Sequence, residues 1–226
     1  MIPIDIGLLV FPRVQQLDLT GPYDVFASWP QARVHLVASS LETVRSSTGL
    51  ALTPTTTFAD CPPLQVICVP GGGGVNALMS DEATLDFLRA QAKGARFVTS
   101  VCTGALVLGA AGLLRGRRAT THWASHHLLS AFGAIPTQGR VVRDGELMTG
   151  GGVTAGIDFA LTLVAELAGR DVAEAIQLGL EYAPEPPFDA GTPDTARPEI
   201  VARVRAAGAA GQAERARLVE AARQAG

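Results

Sequence analysis

The chain has 226 residues, of which 47% are hydrophobic and 17% are charged, and its formal net charge at pH 7 is −3. So apolar a chain is not intrinsically disordered, and its slight negative charge gives no electrostatic basis for binding nucleic acid or an anionic membrane. The three cysteines, Cys61, Cys68 and Cys102, form no CxxC pair and have no histidine at metal-ligand spacing. This pattern predicts no metal site, and with no leader-like N-terminus it favours a reducing cytoplasm.

Residues 4–10 form a short, mostly aliphatic run that ends at a Phe-Pro pair, which predicts a buried strand and is too short to span a membrane. Downstream, Pro22 is suited to the first turn of a helix, with Asp18 or Thr20 as its cap. Asp18 also has a second interpretation because it lies between two leucines. It would then be a carboxylate that is held partly dry and directed at a reactive group.

Two further strands are predicted over residues 33–38 and 64–69, where apolar residues alternate or run continuously. His35 in the first of them is expected to be a surface or hydrogen-bonded strand residue rather than a ligand, and Cys68 in the second is expected to face the core. Between them, the Thr- and Val-rich residues 44–58 predict short strands or a hairpin.

Four consecutive glycines, residues 71–74, follow the strand that contains Cys68. The turn is not a phosphate-binding Walker loop, because the Gly-Lys-Ser/Thr ending is missing, and it does not fit GxGxxG. Glycines let the backbone bring N–H groups close to a ligand, and such a turn beside a nucleophile is suited to donating N–H groups to an oxyanion. Gly72 and Gly73 are the candidate donors here.

A helix predicted over residues 81–93 is followed by the apolar run 96–101, which ends abruptly at Cys102. Small residues then open a helix predicted from Thr103 to about residue 114. The free N–H groups at the start of a helix favour an anion, so a thiol at this corner is expected to tend toward thiolate. The alternative interpretation is a buried structural cysteine.

Residues 118–123 predict a short strand leading into another helix, and His122 is there either a catalytic base or a packed, hydrogen-bonded side chain. Residues 140–149 predict a hairpin with Asp144-Gly145 as its turn. Small residues at 150–156 allow close packing of a helix, predicted over 159–167, against the sheet, and Gly151 is a further candidate for binding an oxyanion or the substrate. Another helix is predicted over 171–182.

Residues 1–183 are expected to form the catalytic domain, and residues 184–226 a helical extension of the same domain. Residues 183–188 break regular structure, and 197–224 are helix-forming with interruptions at Gly208 and Gly211. We expect an appended arm that packs on a partner subunit or is partly mobile. It is too short and irregular for a helix-turn-helix domain.

Alternating strands and helices, with reactive residues after the carboxyl ends of strands, predict a doubly wound, mostly parallel α/β sheet. This architecture places Asp18, the glycine turn and Cys102 along one edge, where they can converge in a crevice.

Four segments together resemble the ThiJ/PfpI superfamily, which is related to class I glutamine amidotransferases, and more narrowly its isonitrile (isocyanide) hydratases. They are residues 18–22 (Asp-Leu-Thr-Gly-Pro), 70–73 (Pro-Gly-Gly-Gly), 101–104 (Val-Cys-Thr-Gly) and 150–158. The resemblance covers about residues 3–182. It implies a flavodoxin-like fold, a homodimer, no cofactor and hydration of an isocyanide to an N-substituted formamide. It carries over Asp18, Cys102 and Thr103 as active-site residues.

Two positions depart from the wider superfamily. Its protease- and glyoxalase-like branches commonly have His directly after the cysteine, where this chain has Thr103, and many members have Glu where it has Asp18. The motifs also occur in the amidotransferase-like half of some AraC-type regulators. The alternatives are therefore a ligand-sensing module without catalysis, or another enzyme of the superfamily such as a glyoxalase, deglycase or peptidase.

For the hydratase, the sequence suggests a mechanism in which the Cys102 thiolate attacks the terminal carbon of the isocyanide while Asp18 acts as general acid. Water then adds to the resulting thioimidate, and its collapse releases the formamide. The Thr103 hydroxyl group would orient water or substrate.

Overall fold

The computed structural model describes residues 3–225, which form a seven-stranded central sheet with helices packed on it. In the order β10-β11-β7-β6-β1-β2-β5, neighbouring strands are parallel except for the antiparallel β10–β11 pair. Two short pairs, β3–β4 and β8–β9, lie outside this sheet. The strands are β1 (Ile4–Leu9), β2 (Ala32–Ala38), β3 (Val44–Arg45), β4 (Ala51–Leu52), β5 (Thr56–Thr57), β6 (Val66–Val69), β7 (Phe97–Val101), β8 (Arg118–Ala119), β9 (Ile135–Pro136), β10 (Val141–Asp144) and β11 (Leu147–Gly150).

The helices connect these strands in the doubly wound manner that the sequence predicts. The chain moves one way along the sheet from β1 to β2 and the opposite way from β6 to β7, so right-handed crossovers place the connecting helices on opposite faces. The helices are α1 (Gln16–Ala27), α2 (Val75–Leu78), α3 (Glu82–Ala92), α4 (Gly104–Ala110), a 3₁₀ helix (Trp123–Phe132), α5 (Ala155–Ala168), α6 (Arg170–Gly179) and α7 (Pro198–Ala225). Helix α1 packs on α5, and α3 packs on α4.

The strand register places the chemistry at one edge of the sheet. Val69 in β6 lies beside Ser100 in β7, and Val101 lies beside Gly150 in β11. The residues that follow these three strands are the glycine turn, Cys102 and Gly151. Because β6 is buried along its whole length, its sequence reads as a continuous apolar run.

Helix α1 begins earlier than the sequence analysis predicts. It starts at Gln16, with Pro22 inside it, and its N-cap, Gln15, makes no side-chain capping bond. The prediction that Asp18 or Thr20 caps a helix beginning at Pro22 is therefore wrong. The Asp18 carboxyl group instead accepts a hydrogen bond from Gly71, across the edge of the sheet.

The C-terminal segment is one continuous 28-residue helix, so the predicted interruptions at Gly208 and Gly211 are wrong. Each glycine costs about 1 kcal/mol relative to alanine, and the surrounding Ala, Arg and Glu residues are strong helix formers. The helix packs on its own chain, through contacts with the 3₁₀ helix and α4, and Val219 is buried.

The other elements agree with prediction, with shifted ends. Helix α4 ends at Ala110, four residues before the predicted end, and Gly145 and Glu146 are the two residues between the paired strands of the β10–β11 hairpin. His35 lies in β2 and its Nε2 is 2.8 Å from Asp5 Oδ1, as a hydrogen-bonded strand residue. Within residues 3–225, none of the helices is both long and apolar enough to cross a lipid bilayer.

Candidate active site

Cys102 occupies a sharp corner between β7 and α4. Its φ angle is 55°, in the left-handed region that a residue with a side chain rarely adopts, and its side chain is almost fully buried. Residue 104 has to be glycine, because a Cβ atom there would lie 2.0 Å from the carbonyl oxygen of Val69. This strained strand-to-helix turn has the geometry by which α/β enzymes present a nucleophile.

The backbone of the corner is held on both sides of the cysteine. The N–H group of Cys102 donates to the carbonyl oxygens of Gly151 at 2.8 Å and Gly150 at 3.1 Å. Its own carbonyl oxygen accepts a 2.6 Å hydrogen bond from Thr121 Oγ1. These bonds stabilise a conformation that costs on the order of 1–3 kcal/mol.

The fully buried carboxyl group of Asp18 faces the Cys102 thiol. Its Oδ2 accepts a 2.9 Å hydrogen bond from the N–H of Gly71, and its Oδ1 has no hydrogen-bond partner within the described residues. Burial raises the pKa of Asp18 to about 7, against the smaller lowering effects of the Gly71 N–H group and the thiol. Asp18 can therefore hold or release a proton near neutral pH.

The pKa of the Cys102 thiol is raised by burial and, next, by the charge of Asp18, while the N–H groups of Thr103 and Val153 lower it. The expectation of a ready thiolate at a helix start is therefore wrong, because burial and the carboxylate outweigh the N–H donors. The resting pair holds a proton that can move between sulfur and carboxyl oxygen, and the two groups titrate as one unit.

The glycine turn contacts Asp18 through Gly71 and Thr103 through Gly72. Thr103 Oγ1 accepts a 3.1 Å hydrogen bond from the N–H of Gly72. A Cβ on Gly71 would lie 2.7 Å from both Asp18 Oδ2 and Thr103 Oγ1. Residue 71 must therefore be glycine for the backbone to approach the two side chains this closely.

The other two glycine candidates have different neighbours. A Cβ on Gly73 would meet the Arg13 guanidinium at 2.8 Å, and the N–H of Gly151 donates to the carbonyl oxygen of Arg140 at 2.9 Å. Gly151 thus supports the corner as an acceptor. The N–H groups directed at the sulfur belong to Thr103 and Val153, and Val153 was not among the predicted site residues. Val153 lies two residues before α5, next to the free N–H groups of a helix start, which was the available signal.

His122 lies against Gly152. Its Nδ1 accepts a hydrogen bond from the N–H of Ala124 at 3.3 Å, and its ring centroid lies 5.6 Å from that of Trp123. Burial, and secondarily the charge of Arg215, lower the pKa of His122. Of the two interpretations of His122, these contacts match the packed, hydrogen-bonded side chain.

Arg215 of α7 was not predicted as a site residue. Its Nε donates to Asn76 Oδ1 at 3.1 Å and its Nη1 to Ser125 Oγ at 3.4 Å, so it bridges the helix after the glycine turn and the 3₁₀ helix after His122. Burial lowers the pKa of Arg215, and its interaction with a charged Cys102 acts in the opposite direction. Arg215 is therefore a cation within electrostatic range of the cysteine.

No metal cluster accompanies this arrangement: across residues 3–225, no three histidine, cysteine or carboxylate side chains come close enough together to hold an ion.

A cysteine on a strained corner of a doubly wound sheet, facing a buried carboxyl group, defines a class of α/β proteins that present a thiol at a strand-to-helix turn. The chain belongs to the DJ-1/PfpI family, whose model matches residues 5–166. The ThiJ/PfpI resemblance and the flavodoxin-like fold that the sequence analysis predicted are thereby confirmed.

Three relatives show how far the similarity extends. The chain is 69% identical over 206 residues to an isonitrile hydratase from Pseudomonas putida, with 90% of each chain covered. A crystal structure of a ThiJ/PfpI family protein from Pseudomonas syringae matches with a TM-score of 0.94 and 45% identity, covering 97% of this chain and 91% of that one. The HTH-type transcriptional regulator GbdR of Pseudomonas aeruginosa is 32% identical over 77% of this chain but 49% of its own length.

Proposed function

We propose that this protein hydrates isocyanides to N-substituted formamides, with Cys102 as nucleophile and Asp18 as the group that moves the proton. The observation that carries the proposal is the buried Asp18–Cys102 pair, in which a carboxyl group with a pKa of about 7 faces a thiol. The 69% identity to a protein named isonitrile hydratase supports the same chemistry.

The first step uses the proton that the pair holds. Sulfur attacks the terminal carbon of R–NC, and the thiol proton, carried by Asp18, is delivered to the substrate, which gives the thioimidate Cys–S–CH=N–R. One S–C bond and one C–H bond form, and the S–H bond breaks. The N–H groups of Thr103 and Val153 stabilise charge on sulfur as the proton leaves.

In the second step, the oxygen of a water molecule adds to the thioimidate carbon while Asp18 accepts a proton from that water. The thioimidate nitrogen is protonated at the same time. The S–C bond then breaks, the formamide R–NH–CHO leaves, and the sulfur recovers a proton. The sum is the isocyanide plus one water. Thr103 holds Gly72 and thus the glycine turn in place, and we propose that its hydroxyl group also orients the water.

The test is incubation of the protein with a simple alkyl or aryl isocyanide while the formamide product is followed, with Cys102→Ala protein alongside. We expect turnover by the wild type and none by the variant. Absence of product at high enzyme concentration would overturn the proposal and favour the ligand-sensing alternative, to which the similarity with GbdR points.

We also propose that the protein is a homodimer in a reducing cytoplasm. Large apolar side chains such as Leu178 and Phe188 are 81% and 78% exposed, and a second subunit that covered them would remove this apolar surface from water. All three cysteines are free, as a reducing compartment would keep them. Light scattering on the purified protein measures the mass and tests the dimer.

A further inference from the structure

The segment between β11 and α5 carries the Val153 N–H group that is directed at the sulfur of Cys102. Burial does little to hold this segment, since Gly152 and Val153 are half-buried and Thr154 is exposed. Thr154 is the N-cap of α5, and it makes no side-chain capping bond. Other contacts must therefore fix the direction of the Val153 N–H group.

Arg140 is attached to this segment on both sides of Val153. Its carbonyl oxygen accepts a 2.9 Å hydrogen bond from the N–H group of Gly151. Its guanidinium group donates to Thr154 Oγ1 at 3.2 Å and, through Nε, to Asp158 Oδ2 at 2.7 Å. A rotation of the backbone at Val153 would strain or break these bonds.

Asp158 anchors the guanidinium group. It lies half-buried in the first turn of α5, and its Oδ2 is 2.6 Å from Arg140 Nη2. The same oxygen accepts a 3.0 Å hydrogen bond from the hydroxyl group of Tyr182, which follows α6. The segment before β10, the start of α5 and the segment after α6 thus meet at one carboxylate. Neither step of the proposed reaction uses this carboxylate.

The backbone of the nucleophile is attached to the same residues. The N–H group of Cys102 donates to the carbonyl oxygen of Gly151, and the N–H group of Gly151 donates in turn to Arg140. A displacement of the Arg140–Asp158 pair would therefore move both the corner and the N–H donor that faces its sulfur. A misplacement of about 1 Å in a reacting group can cost about 100-fold in rate.

We propose that Asp158 and Arg140 are positioning residues of the reaction, whose ion pair holds the Val153 N–H group on the sulfur of Cys102. The proposal rests on the proposed function for the identity of that reaction. It gives a role to the last residue of the segment 150–158, which carries part of the family resemblance.

A second ion pair provides a matched control. Arg143 of β10 and Glu166 of α5 lie 2.6 Å apart, between Nη1 and Oε2, and they are exposed to a similar degree as Arg140 and Asp158. Glu166 lies about two turns further along α5, away from the helix start. Because exposed ion pairs contribute little to stability, Asp158→Ala and Glu166→Ala should both fold, with similar midpoints of thermal unfolding.

Isocyanide hydration is the first measurement. We expect Asp158→Ala to lower kcat by about tenfold and to leave KM within about twofold, because the Val153 N–H group acts on sulfur during the reaction and not on the bound substrate. Glu166→Ala should leave both constants within about twofold. Asp158→Asn keeps an oxygen that can accept hydrogen bonds, so it should recover most of the loss. Arg140→Gln breaks the same pair from the other side and replaces Asp158→Ala if that variant does not fold.

Alkylation of Cys102 by iodoacetamide, followed by mass spectrometry as the pH is varied, is a readout that needs no isocyanide. Loss of the Val153 donor should move the midpoint of this profile to higher pH in Asp158→Ala. Removal of the negative charge would by itself act in the opposite direction, so an upward shift reports the donor. Asp18 and Arg215, the charged groups that interact with Cys102, are unchanged in this variant and in Glu166→Ala.

Equal losses of kcat in Asp158→Ala and Glu166→Ala would overturn the proposal, and so would a midpoint that is unchanged or lower in Asp158→Ala. If the wild type hydrates no isocyanide, the proposed function fails. The alkylation profile then decides the positioning role alone: an upward shift in Asp158→Ala, without one in Glu166→Ala, supports it, and any other result rejects it.

Discussion

Cys68 and Cys102 belong to neighbouring parallel strands, and both are buried, yet the structure gives them different chemistry. Cys68 lies inside β6 and is shielded from solvent on all sides, and burial raises its pKa to about 12. Cys102 lies one residue beyond β7, where the backbone turns at a φ angle of 55° and the thiol meets two N–H groups and a carboxyl group. The charge of Asp18 raises the pKa of both thiols, but the Asp18 carboxyl group faces only the Cys102 thiol directly.

The comparison shows that burial alone does not separate a structural cysteine from a reactive one. A reactive thiol needs a partner that can take its proton and donors that stabilise the resulting charge, and Cys102 has both just past the end of β7. Inside a strand, the neighbouring N–H groups are occupied by the sheet.

Substituting each cysteine by alanine should give opposite results. Cys102→Ala is expected to abolish isocyanide hydration in a protein that still folds, because alanine keeps the Cβ atom at the corner and removes only the nucleophilic sulfur. Cys68→Ala is expected to lower that free energy by about 1 kcal/mol, as one buried group is lost, and to leave kcat within about twofold. Urea titrations and product assays measure both. A Cys68→Ala protein that folds normally but turns over no substrate would break the comparison.

Asp18→Asn should separate stability from activity. Because burial raises the pKa of Asp18 from 3.8 to about 7, folding favours the protonated form. The stability that this contributes is complete below pH 3.8 and is lost as the pH rises through about 7. At pH 8 the ionised carboxylate should cost roughly 4 kcal/mol, at about 1.36 kcal/mol per pH unit.

Asparagine has no such cost, so Asp18→Asn is expected to be a few kcal/mol more stable than the wild type at pH 8. The difference should shrink as the pH falls to 4, while turnover is reduced by about 100-fold or more at every pH. Denaturant titrations from pH 4 to 8 measure the difference. Asp86→Asn, at an exposed carboxylate, is the control that should show neither effect. A stability difference independent of pH would contradict the assignment of the proton to Asp18.

Arg215→Gln tests the smallest contribution, the interaction between the half-buried cation of α7 and a charged Cys102. Loss of this charge should raise the pKa of the thiol, so alkylation by iodoacetamide at pH 8 should slow by about fivefold. Arg215→Lys, which keeps the charge, should restore most of the rate. Arg217→Gln, on the same helix but paired with Glu214 at the surface, is the control. Identical alkylation profiles for Arg215→Gln and the wild type would remove Arg215 from the site.

The pattern of apolar runs and small residues was sufficient to predict most of the elements and the site edge. Strands such as β1 and β6 are recognisable because a strand buried on both faces is apolar throughout. Asp18 and Cys102 were predicted to meet because reactive residues after parallel strands share one edge of the sheet. The predicted start of α1 was wrong, because Pro22 is tolerated inside the helix. The Asp18 carboxyl group does not cap the helix, because it accepts its hydrogen bond from the N–H group of Gly71.

By itself, then, the sequence determined the class of fold, the corner at Cys102 and the acid that accompanies it, because these depend on local periodicity and on which residues follow each strand. The tertiary structure alone decided the protonation of the pair, the N–H donor of Val153, and the place of Arg215. Burial sets a pKa, and burial is the sum of contacts from distant segments. Likewise, α7 meets the 3₁₀ helix through contacts about 90 residues apart along the chain, such as that of Arg215 with Ser125, which no local pattern encodes.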